Sequence, residues 1–329
     1  MVGRLLVRSS LLFAIVVVIE TMLLLAPANQ AVLDDPYLLA WQAKHQRLIG
    51  PGSRRLIFVG GSNVAFGIDS ATLEAGTGRH TINLGLHGGI GLQFMLNEAA
   101  RGVRSGDVVV LIPEYEQFYG DLLNGSLETV QVVQYHWSAL QYVSSWGQWQ
   151  NFVRNALAVN SRAVFARIDR LKSRVRGNAD VERAEDPIYH SRAFDEYGDV
   201  VAHLHENSKP ESVAALALPI EGRLNERAFA SIARFARTVE RRGAMLLVSH
   251  PAVTRRYWTI NRAQILEVEN RLAALGTMSP LHENIFDDER FFDTPYHLNR
   301  HGREARTTQL SRLLESAAIR AHSNAPDRP

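Results

Sequence analysis

The chain has 329 residues, 46% hydrophobic and 21% charged, with a formal net charge of +2, which is ordinary globular composition and enough for one substantial core. Near-balanced charge without a continuous basic block argues against nucleic acid as a partner. The lack of cysteine excludes a disulfide framework, a thiolate metal site and a thiol nucleophile.

In chain order, Arg4 and Arg8 precede the apolar run Leu11 to Ile19, which resumes after Glu20 through Leu25. Residues 1–30 therefore read as a signal anchor or a cleaved signal peptide, with the positive flank in the cytoplasm and everything after it outside. Leu5 to Ala26 is long enough to cross ~30 Å. Glu20 weakens the span, since a carboxylate at the bilayer centre costs roughly 2.5 to 3.5 kcal/mol. Pro27 in turn spoils Ala26-Pro27-Ala28 as a cleavage site, and both readings stay open. The anchor reading gives a single-pass protein of a cell inner membrane with its main domain periplasmic. Residues 31–53 read as a linker or a helix.

From residue 54, short apolar runs alternate with helical patterns, the sign of strands joined by crossover helices into a parallel sheet. Strands are predicted at Arg55 to Val59, Thr81 to Leu84, Val108 to Ile112 and Ala244 to Val248, with a fifth near Asn284 to Phe286. The four are β-branched or Leu-rich runs suited to burial on both faces. A helix from Glu226 to Arg242 carries Phe229, Ile232, Phe235 and Val239 on one stripe and stops at Gly243. A last helix after Asn299 repeats the device with Ala305, Leu310, Leu313 and Leu314. The α/β domain thus covers 54–120 and 221–318 as a three-layer α/β/α arrangement.

The interval 121–220 breaks this pattern. It holds Trp137, Trp146 and Trp149, an Arg-rich helical stretch from Asn151 to Val175, and a turn-rich segment to Pro210. It reads as an α-rich insertion capping one end of the sheet. Residues 319–329 read as a disordered tail.

Three segments carry candidate chemistry. Ile57-Phe58-Val59-Gly60-Gly61-Ser62-Asn63 is a strand ending in two glycines and a serine, where the chain can turn sharply and expose the hydroxyl beside free N–H groups. A helix cap or a phosphate-cradling turn is the plainer alternative, although neither G-x-x-x-x-G-K-[ST] nor G-x-G-x-x-G is present. Asn83-Leu84-Gly85-Leu86-His87-Gly88-Gly89 also follows a strand, and its unhindered N–H groups can bind a developing oxyanion or simply make a turn. In Phe291-Phe292-Asp293-Thr294-Pro295-Tyr296-His297-Leu298-Asn299, His297 can take a serine proton while Asp293 holds the ring in the useful tautomer. Otherwise Asp293 and Asn299 are helix caps and His297 is a structural histidine.

Together the three segments resemble the blocks of the SGNH (GDSL-like) hydrolase superfamily, over roughly residues 54–120 and 240–317. The first block is matched by Gly60-Gly61-Ser62, the second by Asn83, Gly85 and Gly88, and the last by Asp293, His297, Leu298 and Asn299. Phe194-Asp195-Glu196-Tyr197-Gly198-Asp199 and the closing Tyr296-His297-Leu298-Asn299 resemble a bacterial, membrane-anchored branch associated with acylation of surface polysaccharides. The resemblance implies a flavodoxin-like SGNH fold and a Ser62 nucleophile with His297 as base and Asp293 as its orienter. It also implies an oxyanion pocket with Gly88 and Asn63, no cofactor, and an acylated carbohydrate or other acyl donor as ligand. A membrane-bound O-acyltransferase is the implied partner.

Two departures stand out. The superfamily's third block supplies an Asn amide to the oxyanion, whereas here the strand runs into Pro113-Glu114-Tyr115-Glu116. A carboxylate there opposes an oxyanion, so either Tyr115 donates instead, another residue substitutes, or activity is weak. A catalytically degenerate glycan-binding or scaffold subunit is the rival reading. Asp293 and His297 are separated by three residues where two are commoner. Among further residues, Glu114 and Glu116 can bind a sugar hydroxyl, and His87 and His250 lie at predicted sheet ends facing the site. Trp137, Trp146 and Trp149 are core or a sugar platform. No H-E-x-x-H or comparable spacing points to a metal.

Overall fold

The computed structural model describes residues 8–11, 15, 36–175, 186–273 and 281–323. A 3₁₀ turn at Pro36–Ala40 leads into helix α1 (Trp41–Ile49) and strand β1 (Leu56–Gly60). The one-turn helix α2 (Ser62–Ala65), α3 (Ser70–Thr77), β2 (Thr81–Asn83), α4 (Leu92–Gly102) and β3 (Val108–Ile112) follow. The chain then leaves the sheet for α5 (Leu127–Tyr135), α6 (Trp146–Val175) and α7 (Pro210–Ala215), and α8 (Glu226–Arg241) returns it to β4 (Met245–Val248). Strand β5 (Val253–Thr254), α9 (Arg255–Ile260), α10 (Arg262–Ala273), β6 (Ile285–Phe286) and α11 (Arg300–Ser323) complete the described chain.

Strands β1 to β4 form one parallel sheet in the order β2-β1-β3-β4. The strand expected near residue 285 exists as β6, but it pairs with β5 in a separate ladder, its two residues only half-buried. Every residue of β1 and β3 is buried, which explains why both read as unbroken apolar runs. Ile57, Val59, Val109 and Leu111 face a large cluster containing Phe94 and Leu96 of α4 and Ile232, Phe235 and Val239 of α8. Leu56, Phe58, Val108, Val110 and Ile112 face a second cluster with Leu73 of α3 and Leu310 and Leu314 of α11. The sheet is therefore sandwiched between helices.

Local signals set the covering helices. Asn225 caps α8 by accepting from the Arg227 N–H, and Gly243, at φ 70°, supplies the left-handed turn that ends it. Of the predicted α8 stripe, Phe229 is only partly buried and leans on Phe118 instead. At the amino end of the strands, Arg55 and Asp107 form a fully buried ion pair at 2.5 Å. Arg55 also donates to the Leu48 and Gly102 carbonyls, which fixes α1 and α4 to the sheet.

The segment between β3 and α8 folds largely as helix and 3₁₀ turns. Asp199, fully buried, ties it down by accepting from Ser70, Asn83 and Arg303. Lys44, buried in α1, donates to the carbonyls of Asn83 and Gly198. Trp137, Trp146 and Trp149 are 43%, 76% and 37% exposed, so they are not the core residues that their type suggests. No helix among the described residues is long and apolar enough to cross a membrane. The apolar segment read as an anchor lies, apart from positions 8–11 and 15, outside the described residues, as do 324–329 of the tail.

Candidate active site

The carboxyl ends of the strands deliver the candidate residues to one place. Ser62 follows β1 as the first residue of α2, Gly88 opens a 3₁₀ turn after β2, and Glu114 follows β3. A cleft of about 300 Å³ lies there, lined by Ser62, His87, Glu116, Thr294, Pro295, Tyr296 and His297. Its remaining walls are Tyr37, Tyr189, Leu216 and Tyr257.

His297 and Asp293 meet because the backbone between them forms a closed loop. An antiparallel bridge joins Phe291 to Leu298, and the Phe292 N–H donates to the His297 carbonyl at 2.7 Å. Within that loop three intervening residues still let His297 Nδ1 reach Asp293 Oδ1 at 2.9 Å. Thr294 Oγ1 accepts from the His297 N–H at 3.1 Å. The imidazole lies flat on Phe66, ring centres 3.9 Å apart and planes 4° from parallel. These contacts fix both the tautomer and the plane of the ring.

Burial pushes the His297 imidazole below its ordinary range, and the Asp293 carboxylate pulls the other way. At Asp293 burial acts to raise the carboxyl, but the hydrogen bond and charge of His297 outweigh it, leaving the group below its usual value. Tyr189, from the segment between β3 and α8, donates to Asp293 Oδ2 at 2.6 Å and lies 3.2 Å from His297 Nδ1. The neutral imidazole is the form suited to accept a proton.

The Ser62 hydroxyl donates to Glu114 Oε1 at 3.2 Å, and the same oxygen accepts from the Asn63 N–H at 3.2 Å. Ser62 and His297 line one cleft without being hydrogen-bonded to each other. Glu114 lies so close to Gly61 and Gly88 that a methyl group at either position would overlap its carboxyl oxygens, which is a direct reason for glycine there. Burial first, then the charge of Glu116, raise the Glu114 carboxyl; the Asn63 N–H, His87 and Ser62 oppose them. Glu116 accepts from Tyr257 at 2.5 Å and Tyr296 at 2.7 Å. Burial raises it too, against those two hydrogen bonds.

Three of the sequence-predicted side chains do not line the cleft. The Asn63 amide donates to the Ile112 carbonyl at 3.0 Å and so ties α2 to β3, while its backbone N–H donates to Glu114 beside Ser62. Tyr115 has a buried hydroxyl without a partner and is absent from the cleft, because its ring belongs to the core beneath the sheet's end. His250 is 1% exposed, both ring nitrogens lack partners, and it does not line the cleft. Its backbone carbonyl accepts from Arg306 at 2.7 Å.

Gly88 opens the 3₁₀ turn after β2, its carbonyl accepting from Gln117 Nε2 at 3.1 Å. His87 and Glu116 line the cleft, and the three tryptophans do not. Sequence reasoning missed Tyr37, Phe66 and Tyr189. Tyr37 and Tyr189 lie in stretches without periodic pattern, so nothing local pointed to them. Among the described residues no cluster of His, Asp and Glu could hold a metal ion. Compared with known families and with curated proteins, the chain matches no family model and no curated protein.

Proposed function

We propose that the chain is an SGNH-type serine esterase or O-acyltransferase with a flavodoxin-like α/β/α domain. The observation that carries this reading is that Ser62 and an Asp293-oriented His297 open onto the same cleft at the carboxyl end of a parallel sheet. In the proposed chemistry the Ser62 hydroxyl turns from Glu114 to His297, gives up its proton, and attacks an ester carbonyl. The acyl group then passes from Ser62 to water or to a sugar hydroxyl. Tyr37, Tyr189, Tyr257 and Tyr296 give the cleft aromatic walls.

The motif resemblance and the N-terminal apolar segment favour acetyl or other acyl esters of an exported or envelope polysaccharide. In this reading the protein is held at the inner membrane with its domain in the periplasm, beside a membrane-bound O-acyltransferase. Fluorophosphonate labelling followed by intact mass tests it: one adduct is expected on the wild type and none on Ser62→Ala. In cells, Ser62→Ala is expected to alter the acetyl content of the surface polysaccharide. An unlabelled wild type, or equal labelling of Ser62→Ala, would sink the proposal.

One observation favours a second reading. The Glu114 carboxyl stands against the nucleophile where an amide donor is wanted, as in a degenerate glycan-binding or scaffold subunit. That reading requires unchanged polysaccharide binding and unchanged acetyl content in Ser62→Ala and His297→Ala.

A further inference from the structure

We propose that Glu114, as a neutral carboxylic acid, is the side-chain oxyanion donor of this site. The assignment rests on the acyl-transfer reading and explains what that reading otherwise leaves as a conflict. A tetrahedral intermediate on Ser62 places its oxyanion beside the N–H groups of the turns carrying Ser62 and Gly88. The Glu114 carboxyl bridges those two turns: Oε1 meets Ser62 and Asn63, and Oε2 lies against Gly88.

As the acceptor of both contacts, Oε1 is the carbonyl oxygen of the acid, and the proton falls on Oε2. An ionised Glu114 would face the oxyanion with like charge in a buried site, where that repulsion is large. The surroundings favour the proton. The Glu114 carboxyl is buried, and Glu116, which accepts from Tyr257 of α9 and Tyr296 of the Asp293–His297 loop, shares its turn and adds like charge. Against it stand the Asn63 N–H, His87 from the loop after β2, and the Ser62 hydroxyl, each of which favours ionisation. A carboxylic acid kept neutral by an apolar site can donate to an oxyanion.

The step balances without any further reactant. His297 takes the Ser62 proton as Oγ bonds to the acyl carbon and the carbonyl π pair moves onto oxygen. Glu114 shares its proton with that oxygen and keeps it. When the bond to the departing alcohol breaks, the carbonyl re-forms and His297 returns the proton to the alkoxide.

Rates of p-nitrophenyl acetate hydrolysis across pH, for wild type, Glu114→Gln and Glu114→Leu, test the assignment. Glu114→Gln carries a donor at every pH, so it is expected to keep activity within about tenfold and to lose the decline that ionisation of Glu114 causes at high pH. Glu114→Leu is expected to lose roughly 10²- to 10³-fold in kcat, with KM little changed. A loss in Glu114→Gln as deep as in Glu114→Leu overturns the assignment in favour of a carboxylate base. Full activity in Glu114→Leu overturns it in favour of an inert filler.

Carbon-13 NMR of the wild-type glutamate carboxyls reads the protonation state without catalysis, and an ionised Glu114 at the pH of maximal activity also overturns the assignment. Failure of the underlying reading is distinguishable: a wild type that neither hydrolyses the ester nor takes a fluorophosphonate refutes acyl transfer itself.

Discussion

Burial sets His297 below the 6.5 of a free imidazole, so its basic form persists to lower pH than that of an exposed histidine. The acid limb of the kcat/KM profile is therefore expected below 6.5. In the proposed chemistry Tyr189 is expected to tune that limb, because its hydroxyl shares the Asp293 carboxylate with the imidazole. In Tyr189→Phe the carboxylate is free to stabilise the protonated ring more strongly, so the acid limb moves to higher pH while kcat falls by about tenfold at most. A pH–rate profile of the variant checks this, and an unmoved limb rules out the coupling. At this scale the sequence revealed the groups whose geometry is local. Ser62 follows its strand directly, and Asp293 and His297 share one loop. The directions of the Asn63, Tyr115 and His250 side chains were not legible, because each is turned by a distant partner or by the core.

Among the elements, the segment between β3 and α8 supplies Tyr189 to the site, and Asp199 anchors it to the sheet. Its carboxyl accepts from Ser70 N–H and Oγ at 2.7 Å each, from Asn83 Nδ2 at 2.7 Å and from Arg303 Nη2 at 2.9 Å. One group thus joins α3, the end of β2 and α11 to the chain that presents Tyr189. Burial pushes this carboxyl up while Arg303 holds it down. Asp199→Ala leaves Arg303 buried without its partner, at a cost of about 3 to 5 kcal/mol. Urea unfolding should show a lower midpoint with an unchanged slope, and an unshifted midpoint would mean that the segment is held by other contacts.

The four strands of the sheet and its covering helices were readable because full burial writes continuous apolar runs and a single stripe per helix. Strand β6 was readable as a strand but not in its pairing, since two residues carry no register information. The anchoring role of Asp199 was hidden because its partners lie 104 to 129 residues away in sequence.

Across the whole molecule, the two ends of the sheet do different work, and buried titratable groups make the fold sensitive to acid. The amino end is closed by the Arg55–Asp107 pair, which carries no candidate chemistry. Around the carboxyl end lie His203 and His250, both held by burial at about 4 against an ordinary 6.5. His203 Nε2 meets the Leu298 carbonyl at 2.9 Å, which fits a neutral ring donating its proton, and the His250 ring finds no partner among the described residues.

Above pH 6.5 both rings are neutral in the folded and unfolded chain and contribute no pH dependence. As pH falls from there toward about 4, the unfolded chain binds two protons that the folded one refuses, so stability declines. Glu114, Glu116 and Asp199 have the opposite sign: their carboxyls are raised in the fold, so they withdraw stability as pH climbs through the ordinary carboxylate range. The net slope mixes both, and a single substitution separates them. His250→Leu removes one of the refused protons together with two unpaired nitrogens. Between pH 7 and pH 5, urea unfolding of the wild type is expected to lose about 2 kcal/mol more than that of His250→Leu. Equal losses would mean that His250 accepts its proton inside the fold.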